Sequence, residues 1–199
     1  MLTKLPNLLT ISRIGAIPLL IATFYLDTPL GNWLGLAILA LAGVTDFLDG
    51  FVARARHQQS NLGKFLDPIA DKLLVSALLL MLVGSGRVAG LAILPAVVIL
   101  CREILVSGLR EFLADVRVSV PVSRLAQWKT TLQMIALGFL IVGGAGPAFG
   151  PFSTTQVGEA GLWLAAALTL FTGYDYLRAG LRHVGEMDGQ AAGGTRDPG

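Results

Sequence analysis

The chain has 199 residues, 54% of them hydrophobic and 14% charged, with a formal net charge of +2. An ordinary soluble domain carries about 25% charged residues, so this composition excludes a typical water-soluble globule, and the near-neutral balance excludes a nucleic-acid binder. The single cysteine, Cys101, excludes an intramolecular disulfide.

Apolar runs recur at 7–26, 32–54, 65–84, 88–112, 124–143 and 156–180, each near the roughly 20 residues a bilayer core requires. The first follows a lone lysine and lacks a small-residue cleavage site, so it reads as a retained span rather than a signal peptide. Asp27-Thr28-Pro29, a basic stretch around Arg56-His57, the turn Gly84-Ser85-Gly86-Arg87, a loop around Val120-Pro121 and a Gly/Pro-rich loop from Gly143 to Pro151 separate the runs. From Gly185 the chain reads GEMDGQAAGGTRDPG, small and polar, and is expected to be a disordered tail over 185–199. The expected fold is an all-α membrane protein of six transmembrane helices, with residues 1–184 as one domain. With six spans, Lys4, Arg54, Arg56, Lys64, Arg117, Arg124, Arg178 and Arg182 fall on one side and Arg87 on the other. Both termini are therefore expected in the cytoplasm, and the chain as multi-pass in the inner membrane. A soluble helical bundle would need charged helix faces, which these runs lack.

Four aspartates interrupt this apolar pattern, in the stretch DFLDGFVARARHQQSNLGKFLDPIAD from Asp46 to Asp71. Asp46 and Asp49 are spaced i, i+3 at the end of the second run, and Asp67 and Asp71 i, i+4 at the start of the third, so each pair shares a helix face. The two pairs are expected to face each other at the cytoplasmic end. A single Asp at a span centre costs about 2.5–3.5 kcal/mol, so a positive partner is required. Nearby Arg54, Arg56, Lys64 and Lys72 could supply it, and Asp67 before Pro68 could simply cap a helix. Two divalent cations account for all four carboxylates at once, and hard oxygen ligands suit Mg²⁺, Mn²⁺ or Ca²⁺. His57 and His183 are isolated, which leaves no zinc set. Gly50, Ala53 and Gly63 would let a bulky ligand approach the backbone, although small residues also serve helix packing. Arg54 could hold a phosphate, and metal ions with an arginine suggest diphosphate chemistry.

The pattern Asp46-x-x-Asp49-Gly50-x-x-Ala53-Arg54, eight residues, Gly63-x-x-x-Asp67-x-x-x-Asp71 resembles the complete signature of the CDP-alcohol phosphotransferases. The resemblance extends to six helices with the motif on the second and third. It implies a two-metal site, Mg²⁺ or Mn²⁺, held by Asp46, Asp49, Asp67 and Asp71, with Asp71 also the general base. It implies that Gly50, Ala53 and Gly63 line the cytidine pocket, that Arg54 contacts the diphosphate, and that CMP leaves as an alcohol attacks the β-phosphorus. Homodimers are common in the family, and one is expected here.

The stretch LPNLLTISR, the segment from Arg102 to Phe112, and Trp128-Lys129-Thr130-Thr131 with Gln133 are similar to family members that join CDP-diacylglycerol to sn-glycerol 3-phosphate. Glu103, Ser107 and Arg110 form one helical stripe at i, i+4, i+7. Arg110, Lys129 and Arg102 are the candidate ligands of an acceptor phosphate, since intramembrane cations face a bundle interior or wet cavity. Alternatively Glu103 pairs with Arg102 or Arg110 to satisfy burial, and Lys129 extends to the interface. Asn7, Thr10 and Arg13 recur along the first run, and Asn7 and Thr10 either border the nucleotide or serve the helix itself by capping and back-bonding. Another acceptor (phosphatidylglycerol, serine or inositol phosphate) stays open. A cation transporter would need polar groups on both sides of the midplane, and the outer half is nearly free of charge.

Overall fold

Each of the six apolar runs forms an α-helix: α1 Leu5–Phe24, α2 Pro29–Arg56, α3 Asn61–Gly84, α4 Ile93–Asp115, α5 Arg124–Val142 and α6 Thr154–Gly193. The computed structural model describes the backbone of residues 5–56, 61–115 and 124–193, and side chains at 10–45, 66, 69–114, 128–174, 176–178 and 180–181. Among these residues the only other regular features are two short 3₁₀ turns, Gly90–Ala92 and Gly143–Ala145, and an isolated bridge between Phe149 and Phe152.

Local chemistry sets the helix ends. Thr28 accepts the Gly31 N–H through its hydroxyl at 3.1 Å and the Asn32 N–H through its carbonyl at 3.2 Å. It is the N-cap of α2, with Pro29 at the first helical position, where its missing N–H is not needed. The helix therefore starts three residues ahead of the expected 32. Ser153 and Gln156 form a reciprocal capping box, the Gln156 N–H to the Ser153 hydroxyl at 3.2 Å and the Ser153 N–H to the Gln156 side chain at 2.9 Å. That box starts α6 at Thr154. The fourth helix starts late, at Ile93, because Gly90 takes a positive φ of 56° and the chain first makes a 3₁₀ turn. At the other extreme α6 continues through Gly193, where a disordered tail was expected from Gly185. No proline falls between Thr154 and Pro198, so nothing there forbids the helix from continuing through the small and polar residues. Residues 194–199 lie outside the described residues.

α1 packs against both α2 and α3, α6 against both α4 and α5, and α5 also reaches α2. No direct contact joins the described parts of α2 and α3. The core is aliphatic, built around Leu20, Leu78, Leu82, Ile99, Leu137 and Leu162. Gly158 and Gly161 let α6 approach α5 closely, since a Cβ on either would meet Leu140 or Ala136 within 3 Å.

The surface of the bundle is apolar as well as its core, and two cations are buried. Leu80 is 72% exposed and Phe171 59%, whereas Arg13 is 2% and Lys129 4% exposed. An apolar exterior with the few cations turned inward is the arrangement expected where the surroundings are hydrocarbon. Two helical stretches, Gly90–Ala114 and Trp128–Ala145, are long and apolar enough to cross a membrane, and Thr10–Phe24 and Pro29–Thr45 are shorter apolar helices.

The connections 25–28, 85–92 and 143–153 gather at one end, called here the turn end. Arg87 ties it together. Its guanidinium donates to the Ile141 carbonyl and to Asn32 Oδ1 at 2.6 Å, and lies 4.9 Å from the Phe24 ring centroid. Asn32 in turn donates to the Val142 carbonyl at 3.1 Å. Burial pushes the Arg87 pKa below its ordinary value, and the Asp27 carboxylate opposes that shift.

Candidate active site

The charged side chains that meet between helices lie roughly 15–20 Å from the turn end, counted at about 1.5 Å per helical residue. They form two groups. In the first, Arg13 of α1 reaches Asp71 of α3, with Nη1 2.5 Å from Oδ1. The Arg13 side chain is buried while that of Asp71 is half exposed. Because α1 packs on both α2 and α3, it can deliver a cation to the aspartate helix, and Thr10, one turn before Arg13, is also fully buried. A small groove of about 180 Å³ opens beside Arg13, lined by Ser12, Ala16, Leu19, Ile38, Leu41 and Thr45 among others.

The second group centres on Glu103 of α4. Lys129 of α5 forms an ion pair with its carboxylate, and Arg102 Nη1 donates to the same oxygen at 3.2 Å. Arg102 Nη2 donates to the Thr172 hydroxyl of α6 at 3.2 Å, and Thr172 donates onward to the Leu168 carbonyl at 2.9 Å. Gly173 makes room for this arginine, since a Cβ there would stand 3.0 Å from its Cγ and 3.1 Å from its Nε. Arg110 lies 5.7 Å from the Tyr176 ring centroid, close enough for its charge to act on Arg102 and Lys129. Two cations from two helices thus share one carboxylate, with the third, Arg110, close enough to be felt by both. The surplus of positive charge suits a dianion, and Arg110, the exposed member, is the one an incoming ligand meets first.

Of the three residues expected to hold an acceptor phosphate, Arg102 and Lys129 meet at Glu103, and Arg110 stands over Tyr176; the Arg102–Glu103 pair is also the one that burial alone was expected to produce. Lys129 does not extend to an interface. It is buried and paired. A contact between α3 and α4 links the two groups, as Lys72, the neighbour of Asp71, donates to Ser107 of the Glu103 stripe. Asp46, Asp49, Gly50, Ala53 and Arg54 lie on α2, Gly63 and Asp67 on α3, and Asn7 on α1. Their side chains fall outside the described residues, as does the expected contact between the two aspartate pairs.

Residues 3–171 match the CDP-alcohol phosphatidyltransferase family. The chain belongs to it. Within that family it is 52% identical over 176 residues to the CDP-diacylglycerol–glycerol-3-phosphate 3-phosphatidyltransferase of Rickettsia bellii, covering 88% of this chain and 94% of the relative. It is 38% identical to the enzyme so named from Cereibacter sphaeroides, over 91% of this chain and 97% of the relative. It is 37% identical to the second such enzyme of Arabidopsis thaliana, over 87% and 78% respectively.

For this member of the CDP-alcohol phosphatidyltransferases, sequence reasoning missed three things. Arg13 is the described cation on Asp71, whereas the nearby Arg54, Arg56, Lys64 and Lys72 were the cations weighed. Lys72 turns to α4 instead. Thr172 and Tyr176 carry Arg102 and Arg110, and their only sequence signal was polar residues one turn apart in an apolar helix.

Proposed function

We propose that this chain is a phosphatidylglycerophosphate synthase. It transfers the phosphatidyl group of CDP-diacylglycerol to sn-glycerol 3-phosphate, giving phosphatidylglycerophosphate and CMP. The observation that carries the acceptor assignment is the pairing of both Arg102 and Lys129 with the one carboxylate Glu103, with Arg110 nearby on the same helix, beside the aspartate helix. The names of the relatives above support the same reading.

The reaction forms a bond from the acceptor's hydroxyl oxygen to the β-phosphorus and breaks the bond from that phosphorus to CMP. Asp71 takes the hydroxyl proton, and Arg13 holds its carboxylate in place by a 2.5 Å ion pair. Asp46, Asp49, Asp67 and Asp71 offer only hard oxygen donors, a set that fits Mg²⁺ or Mn²⁺. Two such ions, when bound, neutralise the diphosphate and stabilise the departing CMP. Gly50, Ala53, Gly63, Asn7 and Thr10 border the CDP moiety and Arg54 contacts its diphosphate. Arg110, Lys129 and Arg102 hold the acceptor's phosphate and so orient its hydroxyl toward Asp71.

The exposed apolar surface of the helices supports placement in a bilayer. We read all six as spans of the inner membrane with both termini cytoplasmic, and the protein as a homodimer. The lipid donor then enters laterally while the soluble acceptor comes from the cytoplasm. The decisive experiment is CMP release by the purified protein with CDP-diacylglycerol and Mg²⁺ or Mn²⁺, testing acceptors singly. Release with sn-glycerol 3-phosphate alone is expected. Release with phosphatidylglycerol, serine or inositol phosphate instead would overturn the acceptor and keep the aspartate chemistry.

A further inference from the structure

We propose that Lys72 is a specificity-determining residue for the acceptor, its ammonium group forming the α3-side contact of the acceptor's phosphate. The inference rests on the acceptor reading above and extends it to a residue on a different helix.

The inner stripe of α4 presents Glu103, Ser107 and Arg110 at successive turns, and each meets a different neighbour. Glu103 receives Lys129 from α5, Ser107 receives Lys72 from α3, and Arg110 lies over Tyr176 of α6. The two lysines differ in what receives them. Lys129 finds a carboxylate. Lys72 finds a neutral hydroxyl, and among the described residues it forms no ion pair. The carboxylate next to it in sequence, Asp71, is held by Arg13 and points elsewhere, because adjacent residues on a helix diverge by about 100°. A half-buried ammonium inside an apolar bundle is unfavourable without a countercharge, and a bound anion supplies one.

Position makes that anion the acceptor's phosphate. Lys72 follows directly after Asp71, where the hydroxyl loses its proton. Its ammonium rests on Ser107, one turn from both Glu103 and Arg110, where the phosphate is held. Glycerol 3-phosphate carries these two groups at opposite ends of three carbons, so Lys72 stands between its ends. An acceptor with a hydroxyl and no phosphate gains nothing from it.

The test compares kcat/KM for sn-glycerol 3-phosphate with kcat/KM for glycerol, in purified Lys72→Met, which keeps length and loses charge. The ratio is expected to fall at least tenfold, Lys72→Arg to retain most of it, and Ser107→Ala to lower it by a smaller factor. A helix-packing role would depress both acceptors together and leave the ratio alone. An unchanged ratio, or a loss confined to the KM of CDP-diacylglycerol, would overturn the assignment. Where Lys72→Met does not fold, Lys72→Gln and Ser107→Ala decide the same ratio. Where glycerol transfer is too slow to follow, the dissociation constant of glycerol 3-phosphate decides, with tenfold weakening expected and no change overturning the proposal. Failure of the function reading looks different: the wild-type protein would then release CMP with some other alcohol and not with glycerol 3-phosphate.

Discussion

At the turn end, Arg87 donates to a backbone carbonyl and an amide oxygen and lies against an aromatic ring, and the carboxylate of Asp27 is near enough to balance its charge. At the opposite end, Arg102 and Lys129 share the one carboxylate of Glu103, with Arg110 close by and Lys72 received by a hydroxyl. The first arrangement is complete in itself, because fixed dipoles that cross-link helix ends satisfy the donors of this arginine and Asp27 answers its charge. The second holds more positive charge than its own residues neutralise, which is tolerable only where a ligand or water completes it. Cations between the helices of one bundle therefore serve two purposes, and their partners distinguish them. Substitutions at the two ends should separate stability from substrate binding.

The largest effect is expected at Asp71. Asp71→Asn keeps the shape and a hydrogen-bonding oxygen, and removes the proton acceptor. CMP release should fall by about 10²–10⁴, the range for loss of general acid–base catalysis. Metal-dependent binding of CDP-diacylglycerol should persist, since the remaining aspartates are untouched. Normal turnover would remove Asp71 from the mechanism. Next comes Arg87→Met at the other end, which deletes two hydrogen bonds from a charged donor, each worth roughly 1.5–3 kcal/mol. It should lower thermal stability by several degrees and leave the KM of both substrates alone. A raised KM for glycerol 3-phosphate in that variant would break the comparison between the two ends.

Arg110→Ala should do the reverse of Arg87→Met. Arg110 is exposed and rests only on the Tyr176 ring among its described contacts, so little stability depends on it. The KM for glycerol 3-phosphate should rise about tenfold, the equivalent of ~1.4 kcal/mol, with the melting temperature nearly unchanged. An unchanged KM would displace the acceptor site from α4.

How far the sequence reaches follows the same division. The six helices were legible because each is an apolar run of nearly membrane length, a local property. Two of their ends were also locally encoded, in Thr28-Pro29 and in the Ser153–Gln156 box, although the apolar pattern alone placed both starts late. The aspartates stood out because carboxylates are expensive in an apolar chain. Arg13 on Asp71 spans 58 residues and Lys129 on Glu103 spans 26, and such pairings depend on how each helix is rotated against its neighbours. Helical periodicity gives the stripe on α4, but it cannot say which neighbour each turn of the stripe will meet.

The smallest expected effect tests that packing directly. Gly173 sits mid-helix, where alanine is favoured by about 0.8–1 kcal/mol on propensity alone. The added methyl would stand 3.0 Å from Arg102 Cγ and 3.1 Å from Nε, closer than side chains normally approach. Arg102 must give way by a few tenths of an ångström, and because the contact falls on Cγ and Nε rather than on its tip, the whole guanidinium moves with it. Its Nη2 bond to Thr172 and Nη1 bond to Glu103 are both near 3.2 Å and have little slack. The propensity gain and the disturbed contacts should nearly cancel, so Gly173→Ala should melt close to the wild type. Binding does not share in the propensity gain. If Arg102 supports the phosphate, the KM for glycerol 3-phosphate should rise about two- to threefold, a shift of roughly 0.4–0.65 kcal/mol. If the KM stays fixed while Arg110→Ala raises it, Arg102 belongs with Arg87 as a strut between helices, and the acceptor's phosphate is held without it.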